Sequence, residues 1–184
     1  MYNNRMIKAV IFDAGGVLVD NPWPGMMAHY SKHLQVSEEN FEKAIAGVIP
    51  DWHTGKIPET KFWERMAEVL QVDLPESESI WITGLKSTYR EKEEVYELIK
   101  KLRSKGYKTA VLSNTEFPVA ELLSARNGSY FDEFVYSCEF GIAKPEPEIY
   151  FHTLEKLGIK SEEAVFIDDK LENIEAAEKL GIYG

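Results

Sequence analysis

The sequence holds a single cysteine, Cys138. An intramolecular disulfide and a thiolate metal cluster are therefore excluded, a reducing cytoplasm is the expected compartment, and Cys138 reads as a core-packing residue. Long apolar runs are missing too. The first apolar stretch, Ile7 to Phe12, is too short for a signal-sequence core or a membrane span and runs straight into Asp13. Positive charge is scarce: 21 Lys and Arg stand against 31 Asp and Glu, a net charge of −10, so the surface as a whole repels nucleic acid and anionic lipid. No nucleic-acid or membrane partner is expected, and an anionic substrate would need a local positive site. Repeats and low-complexity segments are absent. What remains is an ordinary globular composition over 184 residues, enough for one core with a small satellite inserted into it.

Ile7-Lys8-Ala9-Val10-Ile11-Phe12 is β-branched and nearly all apolar, which suits a central strand of a parallel sheet covered on both faces. Asp13 and Gly15-Gly16 end it. From about Pro22 to Tyr89 the period becomes helical. Met26, Met27, Tyr30 and Leu34 form one stripe, Phe41, Ala44, Ile45 and Val48 a second, Phe62, Met66 and Leu70 a third, and Ile80, Trp81 and Leu85 a fourth. Turn signals at Gly55, Pro58 and Asp73-Leu74-Pro75 separate them. About four helices, over 21–89, are expected to interrupt a core made of 1–20 and 90–184.

The remainder alternates. A helix with Val95, Leu98, Ile99 and Leu102 inward stops at Gly106, a strand covers Lys108 to Leu112, and a helix carries Val119, Leu122 and Leu123. A strand from Phe134 to Ser137, a helix from Pro147 to Gly158, a strand from Ala164 to Ile167 and a helix through Ile174, Ala177 and Leu180 complete the pattern. The alternation predicts an α/β fold with a Rossmann-like, doubly wound parallel sheet. In such sheets ligands bind outside the carboxyl ends of the strands. Those ends carry Asp13, Ser113 with Asn114, and Asp168 with Asp169.

Each of these residues has a plain structural reading: Asp as a turn cap, Ser and Asn as helix caps, Lys144-Pro145 as the lead into a helix. Together they carry chemistry. Asp168 and Asp169 are adjacent carboxylates whose repulsion a cation would relieve, and with Asp13 alongside, oxygen-only ligation favours Mg²⁺ over zinc or copper. Ser113 and Asn114 offer neutral donors to a phosphate, and Lys144 a compensating charge.

In order and context these sites resemble the four motifs of the haloacid dehalogenase superfamily. They read Val10-Ile11-Phe12-Asp13-Ala14-Gly15-Gly16-Val17-Leu18, Leu112-Ser113-Asn114-Thr115, Gly141-Ile142-Ala143-Lys144-Pro145 and Phe166-Ile167-Asp168-Asp169, the last extending through Asn173 and Leu180-Gly181-Ile182. The helical insertion between the first two motifs is similar to the cap of members such as sugar phosphatases, haloacid dehalogenases and the N-terminal domain of soluble epoxide hydrolase, with glucose-1-phosphatase-like members nearest. The resemblance implies a Mg²⁺-dependent phosphatase of small phosphorylated metabolites. Asp13 would be the nucleophile that becomes an aspartyl-phosphate. Asp13, the Gly15 carbonyl and Asp169, with Asp168 beside them, would hold the metal; Lys144, Ser113 and Asn114 would cradle the phosphate. A monomer or weak homodimer is expected.

One position departs from that pattern. Phosphatases of the superfamily usually place a second Asp, the general acid and base, two residues after the nucleophile, where this chain has Gly15. The carbonyl survives; the proton donor does not, and general acid catalysis is worth about 10² to 10⁴-fold. Either the leaving group is acidic, as in a sugar 1-phosphate, or a cap residue delivers a proton through water. The first is favoured; His53 and His29 are read chiefly as surface residues, and Trp23, Trp52, Lys56 and Trp63 as core or surface. Three rivals stay compatible with Gly15: a metal-free 2-haloacid dehalogenase using the same Asp, a phosphomutase, and a non-catalytic module of the same fold. The sequence ends just past Ile182, where members of the superfamily usually continue into another strand, so a bare sheet edge is expected beside the last strand.

Overall fold

The computed structural model describes residues 6–73 and 80–184. Four strands, β1 (Ala9–Phe12), β2 (Lys108–Ser113), β3 (Glu133–Tyr136) and β4 (Ala164–Ile167), form one parallel sheet in the order β3-β2-β1-β4. The unbroken apolar run of β1 is explained by its place: all four residues are buried, with Ala9 and Ile11 packed on one face and Val10 and Phe12 on the other. Ala110, Leu112, Ala164 and Phe166 extend the first face.

Among the described residues, five helices lie between β1 and residue 90: α1 (Trp23–Leu34), α2 (Glu38–Ala46), α3 (Ile49–His53), α4 (Glu59–Leu70) and α5 (Ile80–Thr88). That is one more than the four stripes predict. The single stripe from Phe41 to Val48 is broken at Gly47, and the five residues of α3 are too few to show a period. Ser37 caps α2, its hydroxyl accepting the Asn40 N–H at 3.2 Å. The expected turn at Asp73-Leu74-Pro75 extends outside the described residues. These helices share one aromatic cluster, in which Trp52 stacks on Phe62 at 4.1 Å and Tyr30 on Trp81 at 5.0 Å. The Tyr30 hydroxyl is satisfied there, donating to the Trp81 carbonyl at 2.8 Å.

The helices α6 (Glu93–Ser104), α7 (Phe117–Asn127), α8 (Ser137–Phe140), α9 (Pro147–Leu157) and α10 (Leu171–Lys179) pack around the sheet. Two expectations need correction. Leu98 is 43% exposed, because α6 meets the sheet through Tyr96 and Ile99, three residues apart, which turns Leu98 about 100° away from Ile99. The sheet edge at β4 is not bare: the Tyr183 N–H donates to the Ala164 carbonyl at 3.1 Å, and the Phe166 N–H to the Tyr183 carbonyl at 2.7 Å. Cys138 is buried, as expected. Among the described residues no helix is long and apolar enough to cross a membrane.

Trp52 is almost fully buried at the centre of the aromatic cluster. Replacing it with Ala is expected to cost about 3–5 kcal/mol of folding stability, read from urea unfolding followed by circular dichroism. A loss under about 1 kcal/mol would contradict its place as a packing centre.

Candidate active site

Register assembles the site. Phe12 pairs with Val111 on one side and Ile167 on the other, so Asp13, the Leu112-Ser113 step and Asp168 leave the sheet at one level. The Asp13 N–H still donates to the Ile167 carbonyl at 2.8 Å, which fixes where its side chain begins. Lys144 comes from the loop between α8 and α9, preceding a cis peptide bond to Pro145. Its backbone is held at both ends by one side chain: its N–H donates to Asn114 Oδ1 and its carbonyl accepts from Asn114 Nδ2, each at 2.8 Å. The Asn114 amide is thus largely committed to Lys144, with one amide hydrogen left for an anion.

The ammonium of Lys144 is the centre of the arrangement. Its side chain is 2% exposed, and Nζ donates to Asp13 Oδ1 at 2.6 Å, Asp168 Oδ2 at 2.6 Å and the Leu112 carbonyl at 2.9 Å. Those three bonds use all three hydrogens. Asp168 is equally filled, accepting further bonds from the Lys170 N–H at 2.8 Å and from Asn173 Nδ2 at 3.0 Å to each oxygen. Asp169 is exposed, yet one carboxylate oxygen from each of Asp13, Asp168 and Asp169 lies within 4.8 Å of the others. Gly16 permits that approach: its φ is +80°, and a Cβ there would collide with the Asp169 carboxylate. Lys92 steadies the same turn, its Nζ donating to the Gly16 carbonyl at 2.5 Å.

Burial pushes the Asp13 carboxyl above the usual carboxylate range; the neighbouring Lys144 ammonium opposes that shift and the Asp168 charge adds to it. Three carboxylates face one ammonium, so the cluster is anionic before any phosphate arrives. The donor set is oxygen throughout and fits a hard divalent cation such as Mg²⁺.

A cavity of about 470 Å³ opens from this cluster and is lined by Asp13, Gly15, Ser113, Asn114, Lys144 and Asp169. Asp168 sits behind it, its side chain fully buried. The opposite wall is helical and mostly apolar, with Trp23, Met26, Ile49, Trp81 and Leu85. Trp23 therefore lines the site, whereas Trp52 and Trp63 belong to the aromatic core and Lys56 is exposed. The sequence reading missed Glu116, a buried carboxylate on the cavity wall directly after Ser113-Asn114-Thr115. It also placed His53 at the surface, but the ring lines the cavity with Nε2 3.2 Å from Glu116 Oε2.

A family model for haloacid dehalogenase-like hydrolases matches residues 7–181. The chain belongs to that family. The family read from the four motifs and the Rossmann-like parallel fold read from the alternation are thus those of the protein. Among relatives of this haloacid dehalogenase-like hydrolase, the sesquiterpene phosphatase astK of Aspergillus oryzae is 31% identical, over 96% of this chain and 88% of its own. Acyl-CoA dehydrogenase family member 10 of Mus musculus is 32% identical over 97% of this chain, which spans only 18% of that longer protein. The HAD family enzyme bt-2542 from Bacteroides thetaiotaomicron, in complex with magnesium and inorganic phosphate, superposes with a TM-score of 0.80 at 28% identity, over 96% of this chain and 92% of that one.

Lys144→Met leaves two buried carboxylates without their shared cation, so a stability loss of about 3–5 kcal/mol is expected in chemical denaturation. A variant as stable as the parent would show that the ammonium is not the buried counter-charge.

Proposed function

We propose that this hydrolase of phosphoric monoesters works through a phosphorylated Asp13 on a small organic phosphate, with Mg²⁺ as its cofactor. The observation that carries the reading is the single buried ammonium of Lys144, which holds the nucleophile 2.6 Å away and turns it toward the open carboxylate of Asp169. In this reading the metal is held by Asp13, the Gly15 carbonyl and Asp169. Asp168, whose oxygens are filled by Lys144, Lys170 and Asn173, orients Lys144 instead. When bound, Mg²⁺ supplies charge that screens the repulsion between an anionic nucleophile and an anionic phosphate.

The chain's own residues do the rest. An oxygen of Asp13 attacks phosphorus, and the ester oxygen leaves with the electron pair of the broken P–O bond. Ser113 and the remaining Asn114 hydrogen bind the phosphate oxygens, while Lys144 contributes charge and opposes the effect of burial on Asp13. Water then attacks phosphorus and frees Asp13. The segment 21–89 acts as a cap over a core made of 1–20 and 90–184, and its apolar wall receives the leaving group. A cavity of about 470 Å³ suits a metabolite. A sugar phosphate satisfies this wall if one C–H face of the ring lies on Trp23 and a hydroxyl reaches His53 or Glu116. A sesquiterpene phosphate, the kind of substrate in the name of the astK relative, would use the apolar wall alone. A metal-free dehalogenase would leave Asp169 facing Asp13 while Lys144 is already shared with Asp168.

Asp13→Asn keeps the size of the side chain and removes the nucleophile. The variant is expected to reduce Mg²⁺-dependent phosphate release from sugar and isoprenoid monophosphates to background in a phosphate assay. Parental turnover by the folded variant would sink the mechanism.

A further inference from the structure

Gly15 leaves the leaving group without the usual acid, and room is not the reason: a Cβ at Gly15 would find nothing nearer than Pro22 Cδ at 3.9 Å. The cavity holds another pair of groups that could move the proton. Glu116 follows the phosphate-binding segment of β2, and its side chain is only 2% exposed. A buried carboxylate is costly unless paired, and both of its main partners come from the inserted helices: the Trp81 indole N–H of α5, which donates to Oε1, and His53 of α3. Thr115 adds a long contact at 3.4 Å.

His53 is held by both ring and backbone. Its Nε2 lies 3.2 Å from Glu116 Oε2, and its carbonyl accepts the Ser137 hydroxyl at 2.5 Å. That hydroxyl also accepts the Thr115 N–H at 2.9 Å, so one serine ties α3 to the phosphate-binding segment. Gly55, two residues on, has φ +66°, and a Cβ there would run into the Cys138 carbonyl. The ring side chain is 24% exposed, and it lines the same cavity as Asp13. Among the described residues Nδ1 has no protein partner. A carboxylate on one ring nitrogen orients the ring, which leaves the other nitrogen to exchange protons. His29, the other histidine considered, stacks on His33 on α1 and does not line the cavity.

We propose that His53 is the acid and base that serves the leaving oxygen in place of the missing side chain at Gly15, with Glu116 as its positioning residue. This rests on the phosphatase reading above. As the Asp13–phosphorus bond forms and the ester P–O bond breaks, the leaving oxygen takes the electron pair and the proton from His53 Nδ1, and departs as the alcohol. Neutral His53 then takes a proton from the water that attacks the aspartyl-phosphate. That step releases phosphate, frees the Asp13 carboxylate and restores the imidazolium. The leaving group need not be acidic, so the substrate class widens from sugar 1-phosphates to phosphates of ordinary alcohols.

The test is a leaving-group series, from nitrophenyl to alkyl phosphates, with Mg²⁺. His53→Gln keeps an amide nitrogen for Glu116 and is expected to lower kcat/KM for alkyl phosphates about 10²-fold more than for nitrophenyl phosphate, whose leaving group needs no proton. Glu116→Gln should act in the same direction with a smaller effect, and adding Gly15→Asp to His53→Gln should restore alkyl phosphate turnover. Equal losses across the series would show that the pair only clamps the helices to the sheet, and would overturn the proposal. The phosphatase reading fails separately, if the unaltered protein turns over no member of the series with Mg²⁺.

Discussion

The site depends on one buried ammonium. Lys144 Nζ spends its three hydrogens on Asp13, Asp168 and the Leu112 carbonyl, which belong to the ends of three neighbouring strands. An ammonium in that position is stable only because both carboxylates accept from it, and the carboxylates are tolerable only because the ammonium is there. The parallel register that aligns Phe12 with Val111 and Ile167 is what brings the three acceptors within reach of one cation. Sheet geometry and charge balance are therefore one constraint. A slip of one residue in either pairing would separate the groups and turn core side chains to the wrong face.

Around that centre, most side chains position others. Asn114 secures the backbone of Lys144, and Asn173, buried beside Tyr150, secures Asp168 while the Tyr150 hydroxyl donates to the Asn173 carbonyl at 3.0 Å. Gly16 and Lys92 shape the turn against Asp169. The open side of Asp13 faces the cavity as a result, with the ammonium fixed behind it.

Strands and site residues were legible because their signals are local: a short β-branched run, then a polar residue where the run stops. Asp13, Ser113, Lys144, Asp168 and Asp169 could all be located from motif and order alone. Asn114 was found, but its bond to the Lys144 backbone spans 30 residues and leaves no trace in spacing. Leu98 was misplaced because a helix with apolar residues at four positions and a tyrosine at Tyr96 has two possible inward stripes, and the sheet selects one. Glu116 and His53 were unreadable for a different reason. A lone Glu in an acidic chain and a lone His in a helical segment look like surface residues, and their meaning arises only when α3 packs against α8, which follows β3.

That packing also separates binding from proton transfer in an unusual way. Where the acid lies two residues after the nucleophile, both belong to one rigid turn. In the proposed mechanism the nucleophile Asp13 follows β1 of the sheet, whereas His53 belongs to the inserted helices and is held at the cavity through Ser137, Gly55 and the Glu116 carboxylate. The aromatic cluster that holds α3 in place, with Trp52 stacked on Phe62 and Trp81 on Tyr30, thereby influences the geometry of the proton as well as the stability of the fold. The Trp81 ring takes part in both, packing in the cluster while its N–H donates to Glu116. In the proposed mechanism, chemistry at phosphorus draws on the strand ends and the Lys144 loop, whereas release of a poor leaving group draws on the helices seated on them.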